Sequence, residues 1–147
     1  MSMATKVLSA EKIMLNAKVA DKTEAIRLAG ELLVKAGHVT ADYVDKMLER
    51  EEIVTTYIGS GVAIPHGTNE SKEAIRSTGI SVVQIPDGVD FGEGNTAYLL
   101  IGIAAVGDEH LELLSNIAVI CSDEANVNRV VQAKTAEEII ALFEEGM

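Results

Sequence analysis

Two apolar runs, residues 80–85 and 97–104, constrain this chain more than any other feature. The first is broken only by Ser81 and Gln84, and neither run alternates apolar with polar as a strand with one wet face does. Both therefore read as buried strands of a central sheet. Pro86-Asp87-Gly88 and Gly92-Glu93-Gly94-Asn95 read as the turns around and between them. Aromatic residues make up 3% of the sequence and tryptophan is absent, so the core must be built from Ile, Leu, Val, Ala and Met. Such a core favours helices packed on a sheet over a sandwich held by large rings. An α/β class follows. At 147 residues and 48% hydrophobic, the chain is one domain's worth of sequence, residues 1–147.

The helical pattern brackets those strands. After a short extended segment at 12–16, Asp21 stands three residues before Glu24, a capping-box spacing, and apolar positions from Ile26 to Leu33 predict a helix over 22–36 closed by Gly37. A second helix begins after Thr40, carries Tyr43, Val44, Met47 and Leu48 inward and ends about Ile53, with Arg50 in its last turn. Residues 61–64 lead as a strand into a histidine, and the polar segment 68–74 reads as one helical turn. Asp108 caps a helix bearing Leu111, Leu114, Ile117, Ala118 and Cys121. Asp123 starts another with Val127, Val130 and Val131 inward, and Thr135 caps the last, over 136–145.

Charge and cysteine usage narrow the function classes. The net charge is −11, from 23 acids and 12 bases, and the bases form no cluster, which argues against nucleic acid as a partner. One cysteine, Cys121, fits a reducing compartment and lies on an apolar helix face, where it reads as inert core. No apolar run reaches the roughly 18 to 20 residues that span a bilayer, and the first residues lack a secretory apolar region. A soluble, cytoplasmic chain without membrane insertion is expected.

The candidate chemistry centres on Ile64-Pro65-His66-Gly67. Proline fixes the approach and glycine removes bulk just after the ring, so His66 is offered to a partner or a phosphate. A free imidazole titrates near ~6.5 and thus supplies a nitrogen lone pair at neutral pH. The competing reading is a turn histidine satisfied by a backbone carbonyl. His110, two residues after Asp108, sits in a first helical turn, where free N–H groups attract anions; a solvated histidine is its bland alternative. Arg50 offers a planar donor fork for phosphate oxygens, or else an exposed helix end balanced by Glu49, Glu51 and Glu52. His38, after a helix-ending glycine, reads as a surface residue whose positive charge the helix C-terminus favours. The three histidines show no close-pair spacing, so no metal is expected, and no glycine-rich nucleotide cradle is present, so no cofactor is expected either.

The assembled segments resemble the mannitol-type EIIA component of the phosphoenolpyruvate-dependent sugar phosphotransferase system, over nearly the whole length. They include Ala29-Gly30-Glu31-Leu32-Leu33, Met47-Leu48-Glu49-Arg50-Glu51, Tyr57-Ile58-Gly59, Ile64-Pro65-His66-Gly67-Thr68, Gly88-Val89-Asp90-Phe91, Leu100-Ile101-Gly102-Ile103-Ala104-Ala105 and Asp108-Glu109-His110-Leu111. The resemblance implies an α/β sandwich, a mixed parallel and antiparallel sheet flanked by helices on both sides. It also implies a phosphotransferase component in which His66 accepts a phosphoryl group from the phosphocarrier HPr, on the tele nitrogen, and passes it to a cysteine of a mannitol EIIB. His110 and Arg50 would stabilise the phosphorylated site. The residues themselves leave the reacting nitrogen open. One departure stands out: some members carry an acid six positions before the histidine, where this chain has Ser60. Two other readings remain, a nitrogen-type regulatory EIIA and a non-catalytic ligand-binding module.

Overall fold

The computed structural model describes residues 8–68, 73–106 and 109–146, with the backbone alone at 109–111, 145 and 146. Among the described residues one mixed sheet contains β1 (Ile13–Met14), β2 (Tyr57–Gly59), β3 (Val62–Ala63), β4 (Gly79–Gly92) and β5 (Asn95–Ala104), in the order β1-β4-β5-β3-β2. The central pair β4 and β5 is antiparallel. β1 joins β4 and β3 joins β5 in parallel, and β2 closes the far edge antiparallel to β3.

Successive side chains of the central strands enter two different cores, as the pleat requires. Ile80, Val82, Leu99, Ile101 and Ile103 pack into one, and Val83, Ile85, Leu100 and Ala104 into the other. The continuous apolar runs are thus strands buried on both faces. Helices α1 (Lys22–Lys35) and α2 (Tyr43–Ile53) cover the second core, while α3 (Glu109–Cys121), α4 (Glu124–Gln132) and α5 (Ala136–Gly146) cover the first. The expected flanking of a mixed sheet on both sides is what the chain forms.

The helix ends follow local chemistry. The Asp21 carboxylate accepts the Glu24 N–H at 2.9 Å, and the Glu24 carboxylate reaches back to the Ala20 N–H. At the other end Gly37, at φ 81°, donates to the Val34 carbonyl while His38 donates to that of Leu33, a Schellman closure that needs the left-handed glycine. Asp123 and Thr135 cap α4 and α5 through Ala125 and Glu138. The cap expected at Asp108, and most of the turn expected at 68–74, lie outside the described residues.

Both polar interruptions of the first apolar run serve packing. The Ser81 hydroxyl donates to the Ala29 carbonyl at 2.7 Å and ties α1 to β4. Its cross-strand neighbour is Gly102, where a Cβ would stand 2.4 Å from that hydroxyl, so only glycine leaves room for the tie. Gln84 is buried, and its amide donates to the Val130 and Ala133 carbonyls at the end of α4 while its oxygen accepts the Asn16 N–H.

Pro86-Asp87-Gly88 is not a turn. It lies within β4, where the register passes from Gln84↔Leu99 to Val89↔Ala97, so residues 85–88 stand against Tyr98 alone. A proline with no N–H to pair and a glycine at φ 78° suit such a bulge as well as they suit a turn. Chain reversal occurs at Glu93-Gly94, whose φ values of 54° and 82° are those of a type I′ hairpin.

His38 is also not a surface residue. It is 9% exposed, its Nε2 lies 2.7 Å from the Nζ of buried Lys12 and its Nδ1 lies 2.8 Å from the Ser77 hydroxyl. Burial disfavours charge on both: it lowers Lys12 to about 8 against the opposing pull of Glu11, and it lowers His38 with help from the Lys12 ammonium. A lowered base binds protons more readily when unfolded, so the stability it contributes is lost as pH falls through the window, and gained as pH rises. For Lys12 that window runs from about 8 to its ordinary 10.5. Relative to Lys12→Met, the wild-type chain should therefore gain stability between pH 8 and pH 10, read from urea midpoints at the two values.

Candidate functional site

β3 carries the histidine to the edge of the sheet at which β5 also ends. The Pro65 carbonyl accepts the Ile103 N–H at 2.9 Å, and His66 continues the parallel pairing as a bridge to Ile103. Proline thus fixes the approach while its carbonyl, the only hydrogen-bonding group its backbone retains, anchors the loop to the central strand.

The ring is half-buried and its Nδ1 lies 2.8 Å from the Ile64 carbonyl oxygen. A carbonyl only accepts, so Nδ1 carries the hydrogen and donates. In the neutral ring the lone pair consequently resides on Nε2. The backbone carbonyl of the turn reading is present, and it selects the tautomer that leaves Nε2 nucleophilic.

Tyr43, at the start of α2, holds the other side of the loop. Its hydroxyl donates to the Ile103 carbonyl at 2.8 Å and accepts the Gly67 N–H at 2.9 Å, clamping the residue after the histidine to the strand beside it. Burial raises this phenol to about 12, against a smaller opposing pull from the Gly67 N–H, so it stays neutral and keeps its donor. The sequence reading counted Tyr43 as core. The available signal was a hydroxyl-bearing ring inward in a core almost free of aromatics.

Arg50 lies in the last turn of α2, as expected. Its guanidinium donates to the Val54 carbonyl at 2.7 Å, and this bond goes to its own helix end and not to the His66 ring. The expected balance by surface acids differs for Glu51, which is buried and pairs with Lys22 at 3.4 Å. His110 has its backbone in the first turn of α3, and its side chain lies outside the described residues. Helix α3 follows β5, so its N-terminus comes after the strand that His66 joins.

Ser60 lies elsewhere. It occupies the β2–β3 turn at φ 54°, at the opposite end of β3 from His66, beside a cavity of about 410 Å³ lined by Tyr57, Pro86 and Tyr98. The left-handed backbone there favours a short polar side chain. Cys121 is buried on α3, and burial pushes its thiol up to about 11, so it is an inert core thiol.

Known proteins match this arrangement along the chain. Residues 6–146 fit the family described as the phosphoenolpyruvate-dependent sugar phosphotransferase system, EIIA 2. The mannitol-specific phosphotransferase enzyme IIA component of Geobacillus stearothermophilus is 52% identical, with 97% of this chain and 99% of that protein covered. Its counterpart in Bacillus subtilis is 53% identical over 95% and 98%. Among solved structures, enzyme IIA in its Escherichia coli complex with phosphorylated enzyme IIB of the mannitol system superposes with a TM-score of 0.88 at 41% identity, covering 94% of this chain and 97% of that one. A nitrogen regulatory protein IIA from Neisseria meningitidis is more distant, at 26% identity and a TM-score of 0.82, over 94% and 97%. The chain belongs to the type 2 EIIA family of the sugar phosphotransferase system and is a phosphotransferase component.

Proposed function

We propose that this chain is a mannitol-system phosphoryl carrier, one EIIA domain over residues 1–147, working in the cytoplasm between phospho-HPr and a mannitol EIIB. The observation that carries the reading is the bond from His66 Nδ1–H to the Ile64 carbonyl, which assigns the lone pair to Nε2. In the first step that lone pair attacks phosphorus, the donor's P–N bond breaks and its electron pair returns to the donor ring. The phosphorylated His66 ring then keeps its Nδ1 hydrogen and a positive charge, which the Ile64 carbonyl dipole stabilises. In the second step an EIIB thiolate attacks phosphorus, and the Nε2–P pair returns to His66. Neither step asks His66 to gain or lose a proton.

Phosphoryl transfer passes through a loose transition state, so positioning and charge stabilisation are the protein's main contributions. Arg50 and His110 are assigned that supporting role, Arg50 by exchanging its Val54 carbonyl for phosphoryl oxygens. Exposed Ile53 and Val54 beside Arg50, and exposed Val106 just after β5, supply an apolar rim on which two successive partners dock. Among the described residues no helix is long and apolar enough to cross a membrane. The mannitol assignment follows the relatives at about half identity over the nitrogen-type neighbour at 26%. Incubation with phosphoenolpyruvate, enzyme I and HPr should give one phosphohistidine resonance in phosphorus NMR, at the shift of an Nε2 adduct. A chain that stays unmodified would instead be a binding module.

A further inference from the structure

A buried carboxylate lies behind the histidine, connected to it by a short series of bonds. Glu51 is 6% exposed, and its Oε1 accepts both the Thr56 N–H at 2.9 Å and the Thr56 hydroxyl at 2.6 Å. Its Oε2 faces the Lys22 ammonium at 3.4 Å, which in turn stands 5.4 Å from the Phe91 ring centre. Thr56, itself buried, turns its carbonyl to the Ile64 N–H at 3.0 Å, and the Ile64 carbonyl is the acceptor for His66 Nδ1–H. The series runs Lys22, Glu51, Thr56, Ile64, His66.

We propose that Glu51 is a positioning residue for His66: by clamping Thr56 with two bonds it fixes the backbone of Ile64, whose carbonyl sets the tautomer and direction of the imidazole. The proposal rests on His66 being the phosphoryl acceptor and extends that site inward by three links. The Ile64 N–H and C=O lie in successive peptide planes joined at its Cα, but Pro65 follows and confines Ile64 to extended backbone, so the two planes keep only a narrow range of relative orientations. Holding the N–H of such a residue therefore limits the directions in which its carbonyl can point. Thr56 stands between the end of α2 and the start of β2, and the Glu51 clamp holds its N–H and hydroxyl there. Two charge-assisted bonds to one oxygen, with a cation on the other, hold better than a water-exposed turn.

The test reads the ring directly. Long-range proton–nitrogen NMR on the unphosphorylated wild-type chain should find His66 with hydrogen on Nδ1. In Glu51→Ala that preference should collapse to a mixture of tautomers, and transfer from phospho-HPr should slow by about tenfold in kcat with KM unchanged, since a small misplacement of a reacting group costs rate more than affinity. Glu51→Gln keeps an oxygen for Thr56 and should retain the wild-type tautomer. Thr56→Val removes one arm of the clamp and should shift the ring in the same direction by less, which decides the matter if Glu51→Ala fails to fold. A wild-type tautomer and kcat in the variants, with only a lowered melting temperature, would overturn the proposal and leave Glu51 a purely structural anchor. If the wild-type chain accepts no phosphoryl group, the carrier reading falls separately, while the tautomer measurement still decides the link.

Discussion

His66→Ala should abolish phosphoryl acceptance while leaving a folded chain. The variant removes the only atom that the proposed first step uses as a nucleophile. Cys121 is 5% exposed with its thiol pushed up to about 11, so it offers neither access nor thiolate at neutral pH. Folding should survive because the main-chain anchors of the loop, Pro65 to Ile103 and Gly67 to Tyr43, do not involve the imidazole. Phosphorus NMR after incubation with the donor system is the readout, together with a melting curve within a few degrees of wild type. A phosphohistidine signal of wild-type intensity in the variant would move the acceptor to another residue.

The largest loss of stability should come from Gln84→Leu. The side-chain volume is nearly kept, so the change isolates the polar role. Two buried carbonyls that Gln84 now satisfies would be orphaned, at about 1–3 kcal/mol each, and the N–H of exposed Asn16 would lose its bond to the side chain. Some relief is available to Val130, whose carbonyl also takes the Ala133 N–H. A total of about 3 kcal/mol or more is expected, which for a domain of this size lowers the melting temperature by roughly 10 °C. Calorimetry decides it, and a change under about 1 kcal/mol would mean that water or a backbone shift takes over the bonds.

Legibility in the sequence tracked the range of the interaction. Asp21, Gly37, Asp123 and Thr135 mark helix ends through bonds to residues within five positions, and each marked its end correctly. The β4 and β5 runs were readable because burial on both faces removes polar positions. Pro86-Asp87-Gly88 misled because a missing N–H and a left-handed glycine serve a bulge and a turn equally, and only the register against Tyr98 distinguishes them. β2 went unseen: three half-exposed residues are too few to show a period.

At the site, Pro65, His66 and Gly67 announced themselves because the motif is contiguous. The partners of His66 did not. Tyr43 meets Gly67 across 24 positions, and Thr56 meets Ile64 only after the chain has turned through β2. Glu51 looked like one more surface acid beside Glu49 and Glu52, since nothing in a helical repeat says which of three acids turns inward. His38 erred similarly, because its contact with Lys12 spans 26 positions.

The sheet divides the protein into two cores, and the site draws on both: Tyr43 belongs to the layer beneath α2, whereas Ile103 and the buried face of α3, through Leu113 and Ile117, belong to the opposite layer. A chain with only one layer assembled would still possess a histidine but not the surroundings that the proposed carrier role requires. Competence to receive phosphate is thereby tied to completed folding. Newly made or damaged copies would then sit outside the relay and leave the donor's phosphate for intact molecules.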